Sequence, residues 1–343
     1  MAVTTMSYSQ AAAAALERAM REDPSVVALG EDIGRGGIFG QYKGLLDAFG
    51  AHRVIDTPIS ESTIMGAAVG MALAGIRPVV EMRVVDFALC AMDEMVNQAA
   101  KNRYMFGGQG RVRLVARLPI GIWSASAAQH SQSLEAWFAH MPGLVVVCPS
   151  TPQDNYSMLR AALQAQDPFI YMEHKELWGL QGEVDDELEA RFGNARLARD
   201  GGDLTIVSWS AAVHPALEAA QRLAGHGVQA GVIDLGTIWP WDRDTVLSHC
   251  ARTGRLLVVH EAVRAAGFGA EIAATAAEYT GCRIARLGAP RVPVGYAPVL
   301  EAIASIDADK VERAALELMG MADRATGISA QPQGAHQETA EPR

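Results

Sequence analysis

Short β-rich runs recur along the first half of the chain: VVALG at 26–30, RPVVEM at 77–82, RLVARL at 113–118, LVVVC at 144–148 and FIYME at 169–173. Longer segments with helical spacing of apolar residues separate them. That alternation predicts a parallel α/β sheet. A second series follows, with strands expected at 204–210, 228–235 and 255–261, and a helix over 211–227 stopped by glycine. Between the two series lie the charged stretch EVDDELEAR at 183–191 and then DGGD at 200–203, which reads as a linker.

A chain of 343 residues exceeds what one core usually organises, so two domains are expected, 1–190 and 191–322. Residues 323–343, rich in Gln, Ala, Gly, Pro and Thr and without periodicity, predict a disordered tail. Residues 1–20 are alanine-rich but carry Glu17 and Arg18 where a secretory signal needs an uncharged core, so they read as an amphipathic helix. The apolar stretch 64–76 is too short to span a bilayer and is interrupted by Gly66, Gly70 and Gly75; it reads as a helix buried on all sides.

A formal charge of −10 and the absence of any Lys/Arg run argue against nucleic acid as a partner, leaving small molecules and proteins. Cys90, Cys148, Cys250 and Cys282 form neither a CxxC pair nor a disulfide-like spacing, which suggests a reduced, cytoplasmic setting. The glycines of GEDIGRGGIFG at 30–40, with Asp56 beyond them, suggest a dinucleotide fingerprint. Their spacing, GxGxxxG at Gly34, Gly36 and Gly40, is wrong for one, and a flexible turn is the better reading.

The most informative segment is RVIDTPISESTIMGAAVGMALAGIRPVVEMRVVDF at 53–87. On its own it is a strand, a Pro58 turn, and Glu61 at the start of a glycine-rich helix. A carboxylate there either complements the helix N-terminus or serves as an acid–base group in apolar surroundings; residue type alone leaves both open.

DTPISE at 56–61 and the blocks MDEMVNQAAKNRYMFGGQ, AAQHSQSLEAWFAHMPGLVVVCPSTPQD, DPFIYMEHKELW, VIDLGTIWPWD and TGRLLVVHEA together resemble the beta subunits of the pyruvate, branched-chain and acetoin dehydrogenase first components. RYMFGG, AAQHSQ and LQGEV are most similar to the acetoin type. The resemblance implies two transketolase-like domains, pyrimidine-binding then C-terminal, and thiamine diphosphate as cofactor. It implies that Glu61 hydrogen-bonds the aminopyrimidine, so that the cofactor's own exocyclic nitrogen becomes the base that activates it. It places Phe87 against the pyrimidine ring and His130 toward the cofactor and an incoming lipoyl arm. A structural potassium ion is implied at the carbonyls of Leu114, Ala162, Leu163 and Ala165 and at Asp167. The Mg2+-binding GDG motif of thiamine enzymes is missing, so the metal half of the site is expected from an alpha subunit in a two-alpha, two-beta assembly that serves a lipoyl-bearing acyltransferase.

Three residues depart from the family pattern. Gly236 replaces an arginine implied in interdomain contacts, Trp123 is bulky for a loop beside a substrate channel, and Arg83 stands where Gln or an apolar residue is common. An alternative reading is a non-catalytic scaffolding subunit that keeps the fold; retention of Glu61 and His130 argues against it.

Overall fold

The computed structural model describes residues 3–38 and 40–321; the expected tail lies outside them. Its first sheet has seven strands in the order β12-β6-β7-β5-β4-β2-β3. These are β2 (Val26–Gly30), β3 (Val54–Asp56), β4 (Arg77–Glu81), β5 (Val115–Arg117), β6 (Val145–Val147), β7 (Phe169–Tyr171) and β12 (Thr237–Trp239). All run parallel except β12, which lies antiparallel to β6. The five residues of β2 are all buried, as expected of an unbroken apolar run in a sheet covered on both faces.

The second sheet runs β14-β13-β10-β11-β9. It comprises β9 (Arg196–Arg199), β10 (Leu204–Ser208), β11 (Ala230–Asp234), β13 (Arg255–Val263) and β14 (Arg283–Ala289), with β9 antiparallel to β11 and the rest parallel. The largest hydrophobic cluster spans both sheets, joining Ile64, Met65 and Leu118 to Trp209, Ile233 and Leu256. The halves therefore share a core, and β12 physically stitches the second half into the first sheet.

Several expectations are corrected. The amphipathic helix expected over 1–20 starts late: Val3–Ser7 forms β1, paired antiparallel with β8 (Gln181–Asp185), and the helix spans Tyr8–Glu22. Ser7 sets that start through a capping box. Gln10 N donates to Ser7 Oγ at 3.1 Å and Ser7 N donates to Gln10 Oε1 at 2.8 Å. DGGD is not a linker but the turn between β9 and β10; the chain crosses between the halves from Asp185 to Arg196.

The helix Glu61–Leu73 is not buried all round. Ile64, Met65, Ala68, Val69 and Ala72 face the core, whereas Ala67, Gly70 and Leu73 are exposed. An apolar helix without polar residues on either face carries no signal of which side is covered. Cys250 and Cys282, distant in sequence, meet as reduced thiols. No helix among the described residues is long and apolar enough to cross a membrane.

Candidate active site

In a parallel sheet every strand leaves at the same edge, so residues just beyond neighbouring strands converge. Glu31 follows β2, Glu61 follows β3, Arg83 follows β4, His130 sits on the loop after β5, and Lys175 lies beyond β7. All five line one cleft of about 480 Å³, together with Phe87 and Trp123. The structure thus gathers Glu61, Phe87 and His130, and two of the three departures, into one place.

Glu61 is the first residue of its helix and half-buried. Ser60 does not cap this helix; its hydroxyl donates to Thr63 Oγ1 at 2.8 Å. The Glu61 carboxylate has no hydrogen-bond partner among the described residues. Beside it, Glu31 is only 8 % exposed. Burial pushes Glu31 above the usual carboxylate range, with the charge of Glu61 adding to the effect and Arg83 opposing it. Arg83 Nη1 meets Asp32 Oδ2 at 3.4 Å, so this cation both borders the cleft and leans on a surface acid.

Phe87 and His130 touch edge to face, with ring centroids 5.2 Å apart and planes at 83°. Lys175 donates to the main-chain carbonyl of His130, and its buried position lowers its pKa to about 8. Gln132 Nε2 donates to Asp86 Oδ1 at 2.7 Å, tying the same loop to the residue before Phe87. Trp123 is 41 % exposed on the cleft wall.

The start of the glycine turn is pinned in place. Residues Ile33–Arg35 form a single 3-10 turn, and Gly34 N donates to Asp56 Oδ1 at 3.0 Å. Asp56 therefore braces the turn beside the cleft instead of meeting a ribose. A Cβ on Gly30 would lie 2.6 Å from the Glu81 carbonyl, which is why β2 must end in glycine.

The implied potassium ligands do not present an open ring. Leu163 O and Ala165 O accept from Arg77 Nη1 at 3.0 and 2.9 Å. Leu114 O accepts from Phe169 N, Ala162 O from Ala165 N, and Asp167 pairs with Arg103. Each of these oxygens thus already has a protein partner, two of them the Arg77 guanidinium. No group of three or more His, Cys, Asp or Glu among the described residues is placed to hold a metal.

Gly236 has φ +56°, and a Cβ there would lie 2.6 Å from Met158 Cε. The turn that carries the chain from β11 to β12 thus uses a backbone conformation that an arginine adopts only with strain. Sequence reasoning missed Glu31 and Lys175. Glu31 directly follows β2 and Lys175 lies a few residues beyond β7, at the edge where the site residues gather, and that position was the available signal.

Residues 4–180 match the family described as transketolase, pyrimidine binding domain, and residues 193–311 match transketolase, C-terminal domain. The chain is 43 % identical over 321 residues to the acetoin:2,6-dichlorophenolindophenol oxidoreductase subunit beta of Cupriavidus necator, covering 89 % of this chain and 95 % of that one. It is 39 % identical over 324 residues to the 2-oxoisovalerate dehydrogenase subunit beta of Bacillus subtilis, covering 92 % and 99 %. The pyruvate dehydrogenase E1 component subunit beta-2 of Oryza sativa subsp. japonica is likewise 39 % identical over 324 residues, covering 92 % and 86 %. A solved chain described as a split gene transketolase, inactive beta4 tetramer, superposes with a TM-score of 0.78 at 19 % identity, covering 92 % and 99 %, a likeness of fold alone.

Proposed function

Because this chain belongs to the beta subunits of the thiamine-diphosphate-dependent 2-oxo acid and acetoin dehydrogenases, we propose that its cleft is the pyrimidine side of a shared active site. Residues 1–190 form that side, and residues 191–322 form the second, C-terminal unit. The observation that carries the proposal is Glu61: a carboxylate at a helix start, without a hydrogen-bond partner among the described residues, beside the buried Glu31. Such an acid is free to hold a proton at the ring nitrogen of an aminopyrimidine. Phe87 offers an aromatic edge for ring packing, and its contact orients His130.

Thiamine diphosphate, when bound, supplies the centre that stabilises negative charge on the substrate carbon. This chain's residues do the rest from their side. Glu61 holds and returns the pyrimidine proton. His130 protonates the sulfur released as the lipoamide disulfide opens and the acyl carbon–sulfur bond forms. Arg83 and Trp123 narrow the entrance and bias it toward an anionic or small substrate among pyruvate, branched 2-oxo acids and acetoin.

The metal that holds the diphosphate, Mg2+, is assigned to an alpha subunit, in a two-alpha, two-beta assembly working in the cytoplasm with a lipoyl-bearing acyltransferase. The exposed apolar side chains Ile59, Leu73, Tyr104 and Phe106 support a protein partner, and Ile59 borders the cleft itself. No step is assigned to potassium. The scaffold-only alternative is disfavoured by the convergence of Glu61, Phe87 and His130 on one cleft.

The test is a panel of pyruvate, branched 2-oxo acids and acetoin offered to the co-expressed alpha–beta pair with thiamine diphosphate, Mg2+ and an artificial electron acceptor. Turnover of one class names the substrate. A stable pair that does not bind the cofactor would return the chain to the scaffold reading.

A further inference from the structure

The loop that carries His130 adopts a backbone shape that several of its residues do not favour. Ser124, Ala125 and Ala127 all have φ between +47° and +59°, a region that residues with a Cβ occupy only when their surroundings impose it. Besides Lys175 and the Gln132–Asp86 bond of the first half, restraints come from the second half of the chain. Ile122 N donates to Glu261 Oε1 at 2.8 Å, and Ser133 Oγ donates to the same oxygen at 3.4 Å. Ala125 N donates to Glu301 Oε2 at 2.9 Å. Glu261 lies on β13 of the second sheet, so one carboxylate grips the loop on both sides of His130.

Glu261 is itself held. His174 Nδ1 accepts from Glu176 N at 3.2 Å, which leaves the ring proton on Nε2 to be donated to Glu261 Oε1 at 3.0 Å. Glycine at 121 makes room for that histidine, since a Cβ would lie 1.9 Å from His174 Nε2. A buried histidine therefore aims a carboxylate of the second domain at the loop of the first.

We infer that Glu261 is a positioning residue for the transfer step, through which the second domain sets where His130 stands in the cleft. This rests on the reading of His130 as the group that protonates the leaving sulfur. On that reading the two half-reactions separate. Charge development on the substrate depends on Glu61, which Glu261 does not touch, whereas transfer to lipoamide depends on the His130 loop.

The experiment uses the alpha–beta holoenzyme carrying Glu261→Ala, Glu261→Gln, His130→Ala or the double variant Glu261→Ala/His130→Ala. Artificial-acceptor reduction and acyl transfer to free lipoamide are measured in each, with hydrogen exchange over residues 120–133. The account expects Glu261→Ala to slow transfer by about 10- to 100-fold while acceptor reduction changes by less than about 3-fold. The double variant should transfer no more slowly than His130→Ala alone, because both changes disable one unit. Exchange over 120–133 should rise in Glu261→Ala and less in Glu261→Gln, whose amide oxygen still accepts from Ile122 N.

Equal losses in both half-reactions, additive losses in the double variant, or unchanged exchange over 120–133 would each overturn the inference. If His130→Ala spares transfer, the role given to His130 fails; the exchange data then still decide whether Glu261 clamps the loop.

Discussion

Two groups of carboxylates lie at the ends of the strands of the first sheet, and they are treated in opposite ways. In one, Glu81 accepts from Tyr42 Oη at 2.8 Å and Gln41 Nε2 at 3.2 Å. Glu173 takes a two-pronged contact from Arg117, at 2.8 Å on each oxygen, and a further bond from Asn155 at 3.0 Å. In the other, Glu31 and Glu61 share a cleft without comparable partners among the described residues. The first group is an ionic network that fixes the scaffold; the second is left open, the arrangement on which the proposed acid–base role rests.

The largest effect that separates the two groups is on turnover. Glu61→Ala should lower activity of the alpha–beta pair by about 10³-fold while assembly is unchanged, as read by acceptor reduction and by size-exclusion of the complex. A variant that kept most of its activity would remove Glu61 from the mechanism. Glu173→Ala should do the reverse. It leaves Arg117 charged and buried with only Glu81, 3.9 Å away, as a carboxylate partner, at a cost of about 3 kcal/mol in denaturant unfolding, while whatever folds retains its activity per molecule. If both variants lost activity and stability alike, the contrast would collapse.

A smaller effect concerns pH. Burial lowers Lys175 to about 8, against the pull of Asp86, Glu261 and Glu301. The folded state disfavours its charged form, so this residue costs stability below about pH 8 and ceases to do so as pH rises toward its unfolded value. Function runs the other way. The ammonium that grips the His130 carbonyl loses its charge above about pH 8, and acyl transfer should decline there. Lys175→Arg, which stays charged, should carry activity to higher pH; a pH–rate profile identical in both would contradict the role. The smallest effect is at Gly236. Gly236→Ala should cost about 1 kcal/mol from its positive φ, with kcat unchanged, as measured by thermal unfolding and steady-state kinetics.

Much of the architecture was legible because buried parallel strands announce themselves as apolar runs. VVALG and FIYME became β2 and β7 with little change. The N-terminus was misjudged because β1 is short and gains its structure only by pairing with β8, nearly the whole first domain away. DGGD looked like a linker since glycine and aspartate mark any sharp turn, and composition does not distinguish a turn within a domain from one between domains. At the site, Glu61, Phe87 and His130 were visible through a family pattern that spans them. Glu31, Lys175 and Glu261 were not, because each acquires its role from a neighbour that only the fold supplies: Glu61, the His130 carbonyl, and the loop at 122–133.

On the proposed function, this chain holds one half of an active site. The most direct test compares acceptor reduction by the isolated chain with that of the chain co-expressed with an alpha subunit, both with thiamine diphosphate, Mg2+ and substrate. The pair should turn over and the chain alone should not; turnover by the isolated chain would mean that it holds a complete site.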